Sequence, residues 1–380
     1  MPALRDVVAV LDELYDPHWA ADWDAVGTVV GHPEADVSRI LFAVDPVQAV
    51  VDEAIAWGAD LLVTHHPLYL SGVTSVAAST PKGRVVHDLI GHGIALHTCH
   101  TNADSPPLGV SESMALALGL TDIRPLEADA DATDTWVVFV PEDDVDAVAA
   151  AMHDAGAGAI GDYDRAMFQS SGTGSFRPLD GASPAIGQVG DVERVAERRL
   201  EMVAAPAVRE SVRAAMWDAH PYEEVAYSVT ASVPRPAGRG SGRIGQLPES
   251  MSLGDFAAHV TDRLPAHGSA TRVAGDLERE VSTVALCGGS GDFLLVVADA
   301  SGADVYVTSD LRHHPVSEHA ERPGGCAVVD VPHWAAEWTW LPVAAREVAA
   351  RCGDTVETRV STIVTDPWTH VVVPSTRSTR

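Results

Sequence analysis

Cysteine is scarce and scattered. Four stand in 380 residues, Cys99, Cys287, Cys326 and Cys352, and no two form a CxxC pair. That spacing argues against a disulfide framework and against a thiolate zinc site. Basic residues are scarce too, 25 Lys and Arg against 54 Asp and Glu, for a formal charge of −29. A field of that sign repels phosphate backbones, so nucleic acid is not an expected partner. The excess acid reads as a solvated surface and is compatible with cation binding. No apolar run approaches the ~18–20 residues of a membrane span, so no membrane partner is expected. The opening MPALRDVVAVLDELYD lacks a basic start, a long apolar centre and a cleavage site, so no signal peptide is expected. With no export signal and unpaired cysteines, the expected compartment is the reducing cytoplasm. There is no GxxxxGK[ST], so a nucleotide would not be held as in P-loop enzymes.

What is present is ample apolar material. Hydrophobic residues make up 46% and charged residues 21%, enough for sizeable cores in two or three domains. Up to about residue 125, helix and strand signals alternate. A helical pattern covers 3–14, then come strand 40–45, a helix over 46–59, strand 61–65, a helix near 82–92 and strand 94–100. Short Val/Ile/Leu-rich strands between helices predict a parallel or mixed α/β sheet, with function at the strands' C-terminal ends. The acidic stretch EADADAT (127–133) marks a boundary. Beyond it, strand, helix, a Gly-rich middle, helix (206–220) and strand (221–231) predict a small α+β domain of ferredoxin-like type. The Pro-, Gly- and Arg-rich segment 233–243 reads as a linker. The earlier pattern then returns: a strand into a Gly-rich turn (281–292), a helix, strand 304–310, a helix, strand 326–331 and one long helix from about 334. Two strand ends, LLVTHHPL and VYVTSDLRHHPV, echo one another. The expected fold is an α/β core of two similar halves with mixed sheets, residues 1–126 and 236–380, split by an inserted α+β domain, 127–235.

Three segments offer chemistry. His65 and His66 end the strand LLVTH. A lone core histidine is usually a hydrogen-bonded structural residue, and two adjacent ones at a strand end fit that reading less well. In a regular strand they would face opposite ways, but a turn before Pro67 could bring both to one site. In HTCHTNAD (97–104), Asp104 supplies a hard oxygen, while His100 and His97 could orient a ligand. The plain alternative is that Asn102 and Asp104 cap a helix. In DVPHWAAEW (330–338), His333 and Glu337 are four apart, on one helical face. A surface pair is the plain alternative there. Together these segments hold three histidines and two carboxylates, an inventory suited to Zn, Mn, Fe or Co, and a carboxylate can bridge two ions. A further cluster, His313, His314 and His319, reads as substrate-facing or structural and is not taken as a ligand set.

Taken in order, ADWDAVGTVVG, THHP, HTNAD, CGGSGD, TSDLRHH and HWAAE make the sequence resemble the dinuclear-metal proteins called GTP cyclohydrolase 1 type 2, the NGG-interacting-factor-like family. Within the middle block, GAIGDYDRAMFQSSGTGSFRP, GASPAIG and AHPYEEVAY resemble the PII-like, copper-tolerance-type insertion of its longer members. The resemblance implies a two-metal site on His65, His66, Asp104, His333 and Glu337, and a homo-oligomer, commonly a hexamer built as a trimer of dimers. Pro332, Ser309 and Gly288-Gly289 depart from the family pattern and bear on the substrate pocket rather than the metals.

The expected function is metal-dependent hydrolysis of a small molecule, with a nucleotide among the candidates. Two divalent ions are the cofactors, and His100 and His313 are candidate helpers. The Gly-rich turn 288–291 could cradle a phosphate, and Arg312 with His313 and His314 could hold an anion. The competing expectation is a metal-binding regulatory scaffold without turnover. In that case HPYEE (220–224) would bind a ligand, although a helix-to-strand turn is the simpler reading of it.

Overall fold

The computed structural model describes residues 1–161, 163–233 and 235–372. Its contacts part into two units, residues 1–129 with 238–380, and 130–237. Among the described residues no helix is long and apolar enough to cross a membrane.

The first unit begins with α1 (Leu4–Leu14), whose Leu4, Val7 and Leu11 are buried at helical spacing. Next come β1 (Gly27–Val30), β2 (Arg39–Ala43), α2 (Gln48–Trp57), β3 (Leu61–Thr64), α3 (Pro81–His92) and β4 (Ala95–Thr98). The short α4 (Thr101–Asp104), α5 (Val110–Ala117) and β5 (Thr121–Asp131) complete this stretch.

The second unit holds β6 (Asp134–Pro141), α6 (Val145–Asp154), β7 (Phe168–Phe176), β8 (Glu193–Ala204), α7 (Arg209–Ala219) and β9 (Tyr227–Ala231). Its strands form one antiparallel sheet in the order β7-β8-β6-β9. Both helices pack a separate apolar core around Trp136, Val148, Met152 and Met216. Residues 220–226 form the turn from α7 to β9.

The chain re-enters the first unit through β10 (Arg235–Ser252), then α8 (Leu253–Arg263), β11 (Arg272–Ala274), β12 (Glu280–Ser290), α9 (Leu295–Ala300), β13 (Val305–Ser309) and α10 (His313–Ala320). It finishes with β14 (Ala327–Val331), α11 (His333–Trp338), α12 (Leu341–Arg351) and β15 (Glu357–Val360). Two mixed sheets result, β1-β4-β3-β2-β15 and β11-β14-β13-β12-β10-β5. Each contains three parallel strands in chain order beside an antiparallel edge strand. Side chains alternate between two cores, as the two-residue period of a strand requires. Ile40, Phe42, Leu61, Val63, Val284, Val305 and Val307 share the central core with Phe256 and Trp340. Leu41, Leu62 and Leu96 pack beneath α2 and α3 instead.

Two sequence expectations are corrected. Residues 233–243 are not a linker, because β10 starts at Arg235 and pairs with β12, Arg243 opposite Leu286. Gly240 serves close approach: a Cβ on it, at φ +154°, would lie 2.1 Å from the Glu127 carbonyl oxygen. The single long helix from 334 is two helices, α11 and α12. Pro342 lies in the first turn of α12, where a missing N–H costs nothing, but it cannot continue α11.

Candidate metal centre

The parallel strands of both sheets end at one place. Backbone pairing carries β3 past Thr64: the N–H groups of His65 and His66 donate to the carbonyls of Ala43 and Val44. The Thr64 hydroxyl then donates to the His66 carbonyl at 2.9 Å, turning the chain so that adjacent imidazoles sit 5.2 Å apart, centre to centre. Asp104 comes from α4, just past the end of β4, and His333 and Glu337 from α11, just past β14.

Glu337 lies at the middle, 3% exposed. Its Oε1 is 2.7 Å from His333 Nε2 and 3.4 Å from His65 Nε2, and its Oε2 is 3.0 Å from His66 Nε2. Asp104 Oδ1 stands 3.7 Å from His65 Nε2. The structure therefore gathers all five residues. Asn102, rather than Asp104, takes the capping role, accepting from the His100 backbone N–H at 2.9 Å.

Each imidazole is oriented through its other nitrogen. His65 Nδ1 meets the Cys99 carbonyl at 3.0 Å, His66 Nδ1 meets Asp45 at 2.7 Å, and His333 Nδ1 meets Asp310 at 2.7 Å. An acceptor on Nδ1 holds a proton there and turns Nε2 toward the centre, the nitrogen through which metal-binding histidines coordinate. The buried Asp104 Oδ1 has no hydrogen-bond partner among the described residues. A buried carboxylate without a donor is costly, and a cation relieves it. The donor set of imidazole nitrogen and carboxylate oxygen thus fits Zn, Mn, Fe or Co.

Charge in the cluster is strongly coupled. Burial opposes ionisation of Glu337, but His66, His333 and His65 outweigh it and hold the carboxyl well below its usual range. Burial likewise opposes the charged rings, yet Glu337 with Asp45 lifts His66 to about 10, and Glu337 with Asp310 lifts His333 to about 11. Burial pushes Asp104 up.

Gly289, at φ +75°, forms a wall of the cluster: a Cβ there would sit 2.6 Å from Glu337 Oε1. The Gly-rich turn thus gives Glu337 room. His100 stands beside the cluster, its ring 5.1 Å from that of His65, with Nδ1 held by Asp24 at 2.8 Å. His97 faces away, paired with Thr28 at 3.0 Å, and burial pulls it down to about 4. His313 opens α10 and packs against His314, and Arg312 is paired with Asp292. Asp24, Asp45 and Asp310 escaped the sequence reading of site residues. Asp45 and Asp310 closed predicted strands, the position where function was expected, so the signal was available.

Asp45→Asn and Asp310→Asn should each weaken metal affinity by roughly 10–100-fold with the fold unchanged, because a lost orienting carboxylate frees the ring. Isothermal titration of the chelated variants with Zn2+ or Mn2+ checks this, and affinity equal to wild type would contradict it.

These features define a mixed α/β protein with a His/carboxylate cluster at its converging strand ends. The sequence profile of the Duf34/NIF3 (NGG1p interacting factor 3) family matches residues 2–367, and the chain belongs to that family. It is 50% identical over 368 residues to a Mycobacterium tuberculosis protein called GTP cyclohydrolase 1 type 2 homolog, covering 96% of each chain. A Bacillus subtilis protein of the same name is 36% identical, over 97% of this chain and 98% of the relative. Among solved structures, a Bacillus cereus protein related to NIF3 superposes with a TM-score of 0.73 at 34% identity, covering 97% of this chain and 99% of its own.

Proposed function

We propose that the protein holds two divalent metal ions on His65, His66, Asp104, His333 and Glu337, and hydrolyses a nucleotide or related small molecule. The observation that carries this reading is the buried Glu337 carboxylate set among three imidazoles, each presenting Nε2. Two ions there would polarise a substrate oxygen and make water nucleophilic near neutral pH. Around them, Asp45 and Asp310 fix the rings, and Gly289 keeps the wall free of side chain. His100, held by Asp24, is placed to move a proton at Nε2. The exposed indole of Trp23, edge-on to His100 at 5.9 Å, offers a planar face to a purine. The names of the relatives support a nucleotide substrate class.

The test is turnover by the metal-loaded protein of GTP, phosphoesters and cyclic amides. Activity is expected on at least one class and is lost in Glu337→Ala. A protein with both ions bound and no turnover of any of them would contradict hydrolysis.

One observation favours the regulatory reading as a second role. Unit 130–237 holds a cavity of about 610 Å³ lined in part by Tyr222, Glu223 and Glu224 of the HPYEE stretch. We take this unit to be the inserted domain, of ferredoxin-like, PII-like type, between α/β halves 1–126 and 236–380. Its β-α-β-β-α-β order, with the first strand between the third and fourth, supports that assignment. The family resemblance further suggests a hexameric assembly.

A further inference from the structure

We propose that Asp299, His319 and Cys326 form a separate, mononuclear site for a thiophilic divalent cation of the Zn2+ class. Asp299 lies on α9, His319 on α10 and Cys326 directly before β14. One ligand atom from each lies within 4.8 Å of the others. The site stands apart from the central cluster: Cys326 precedes β14 and His333 follows it, and a five-residue strand separates them by on the order of 16 Å.

His319 points to a ligand. It is 4% exposed, and its Nε2 lies 2.9 Å from the Cys326 carbonyl oxygen. A carbonyl only accepts, so Nε2 carries the proton and Nδ1 of the neutral ring is a bare lone pair. That Nδ1 is buried without a hydrogen-bond partner among the described residues and faces Asp299 Oδ2 at 3.4 Å. Two acceptors facing each other inside a protein call for positive charge between them, from a cation or from a second ring proton. An imidazole that gives one N–H to a backbone carbonyl and turns the other nitrogen to a carboxylate is oriented as metal-binding histidines are.

The remaining donors fit. Asp299 Oδ1 accepts from the Cys326 backbone N–H at 3.0 Å, which fixes the carboxylate, and Oδ2 also has Arg322 Nη1 at 3.5 Å. Cys326, 5% exposed, places its Sγ 3.8 Å from His319 Nε2. Thiolate and carboxylate carry two negative charges, which a divalent ion neutralises; imidazole, carboxylate and thiolate are three zinc ligands, with water for the open position. On binding, the metal–sulfur bond replaces the S–H bond and the proton leaves to solvent. Burial and Asp299 push the thiol up to about 12, so without a cation that proton stays on sulfur.

The test uses the reduced, full-length protein, stripped by chelator and titrated with Co2+. Thiolate bound to Co2+ gives a near-ultraviolet charge-transfer band, and imidazole or carboxylate does not. The band is expected in wild type and in Glu337→Gln, absent in Cys326→Ser and strongly reduced in Asp299→Asn. Bound cobalt should fall by about one ion per chain in Cys326→Ser. Cys287→Ser keeps the band. No band in wild type would overturn the site, leaving His319 as an imidazolium paired with Asp299. So would a band that survives Cys326→Ser or disappears in Cys287→Ser.

Discussion

Glu337→Gln is expected to lose divalent-metal affinity by ~100-fold or more while keeping its fold, since even an outer-shell partner is worth roughly 10–100-fold. The carboxylate approaches three imidazoles from a position 3% exposed. Glutamine has nearly the same shape, so packing changes little, but it removes the negative charge and replaces one acceptor oxygen with a donor N–H2. Without that charge, His66 and His333 lose the neighbour that contributes most to raising them. In the metal-free protein both should then titrate nearer their ordinary value, falling from about 10 and about 11. Calorimetric metal titration gives the affinity, circular dichroism the fold, and NMR of the ring protons the two titrations. Wild-type affinity in the variant would remove Glu337 from the centre.

Arg243→Ala is the second change with a large expected effect, costing ~3–5 kcal/mol of stability in chemical denaturation. Arg243 is fully buried on β10. Its Nε pairs with Glu112 at 3.0 Å, Nη1 donates to the carbonyls of Gly240 and Gly242, and Nη2 to those of Ser105 and Pro106. Removing it leaves a carboxylate and several carbonyls without their donor. Ser105 and Pro106 directly follow Asp104, so a looser turn there should also reduce metal occupancy. A stability loss below ~1 kcal/mol would show that these hydrogen bonds contribute no more than ordinary neutral ones.

The strands over 40–45, 61–65, 94–100, 304–310 and 326–331 could be read from the sequence because both faces of each are buried. A strand covered on both sides is a short apolar run, and such runs stand out. The five-residue cluster could be proposed because each member follows one of those runs, and because His333 and Glu337 keep one-turn helical spacing. Other features depended on distant contacts. Residues 233–243 carry the Pro and Gly of a linker, yet Arg243 finds five partners and Gly240 an approaching backbone only once the sheet forms. Asp24 is 76 positions from His100, which it orients, a distance that a local pattern does not encode. Cys326 looked inert because it had no cysteine neighbour, whereas its partners His319 and Asp299 sit on two different helices.

The most direct measurement of the central claim is elemental analysis of the purified wild-type protein after metal-replete growth, beside Glu337→Gln. About three divalent ions per chain in wild type, two at the five-ligand His/carboxylate centre and one at the Asp299, His319 and Cys326 site, and a loss of about two in the variant, are expected. A wild-type excess over the variant of less than about one ion per chain would contradict it.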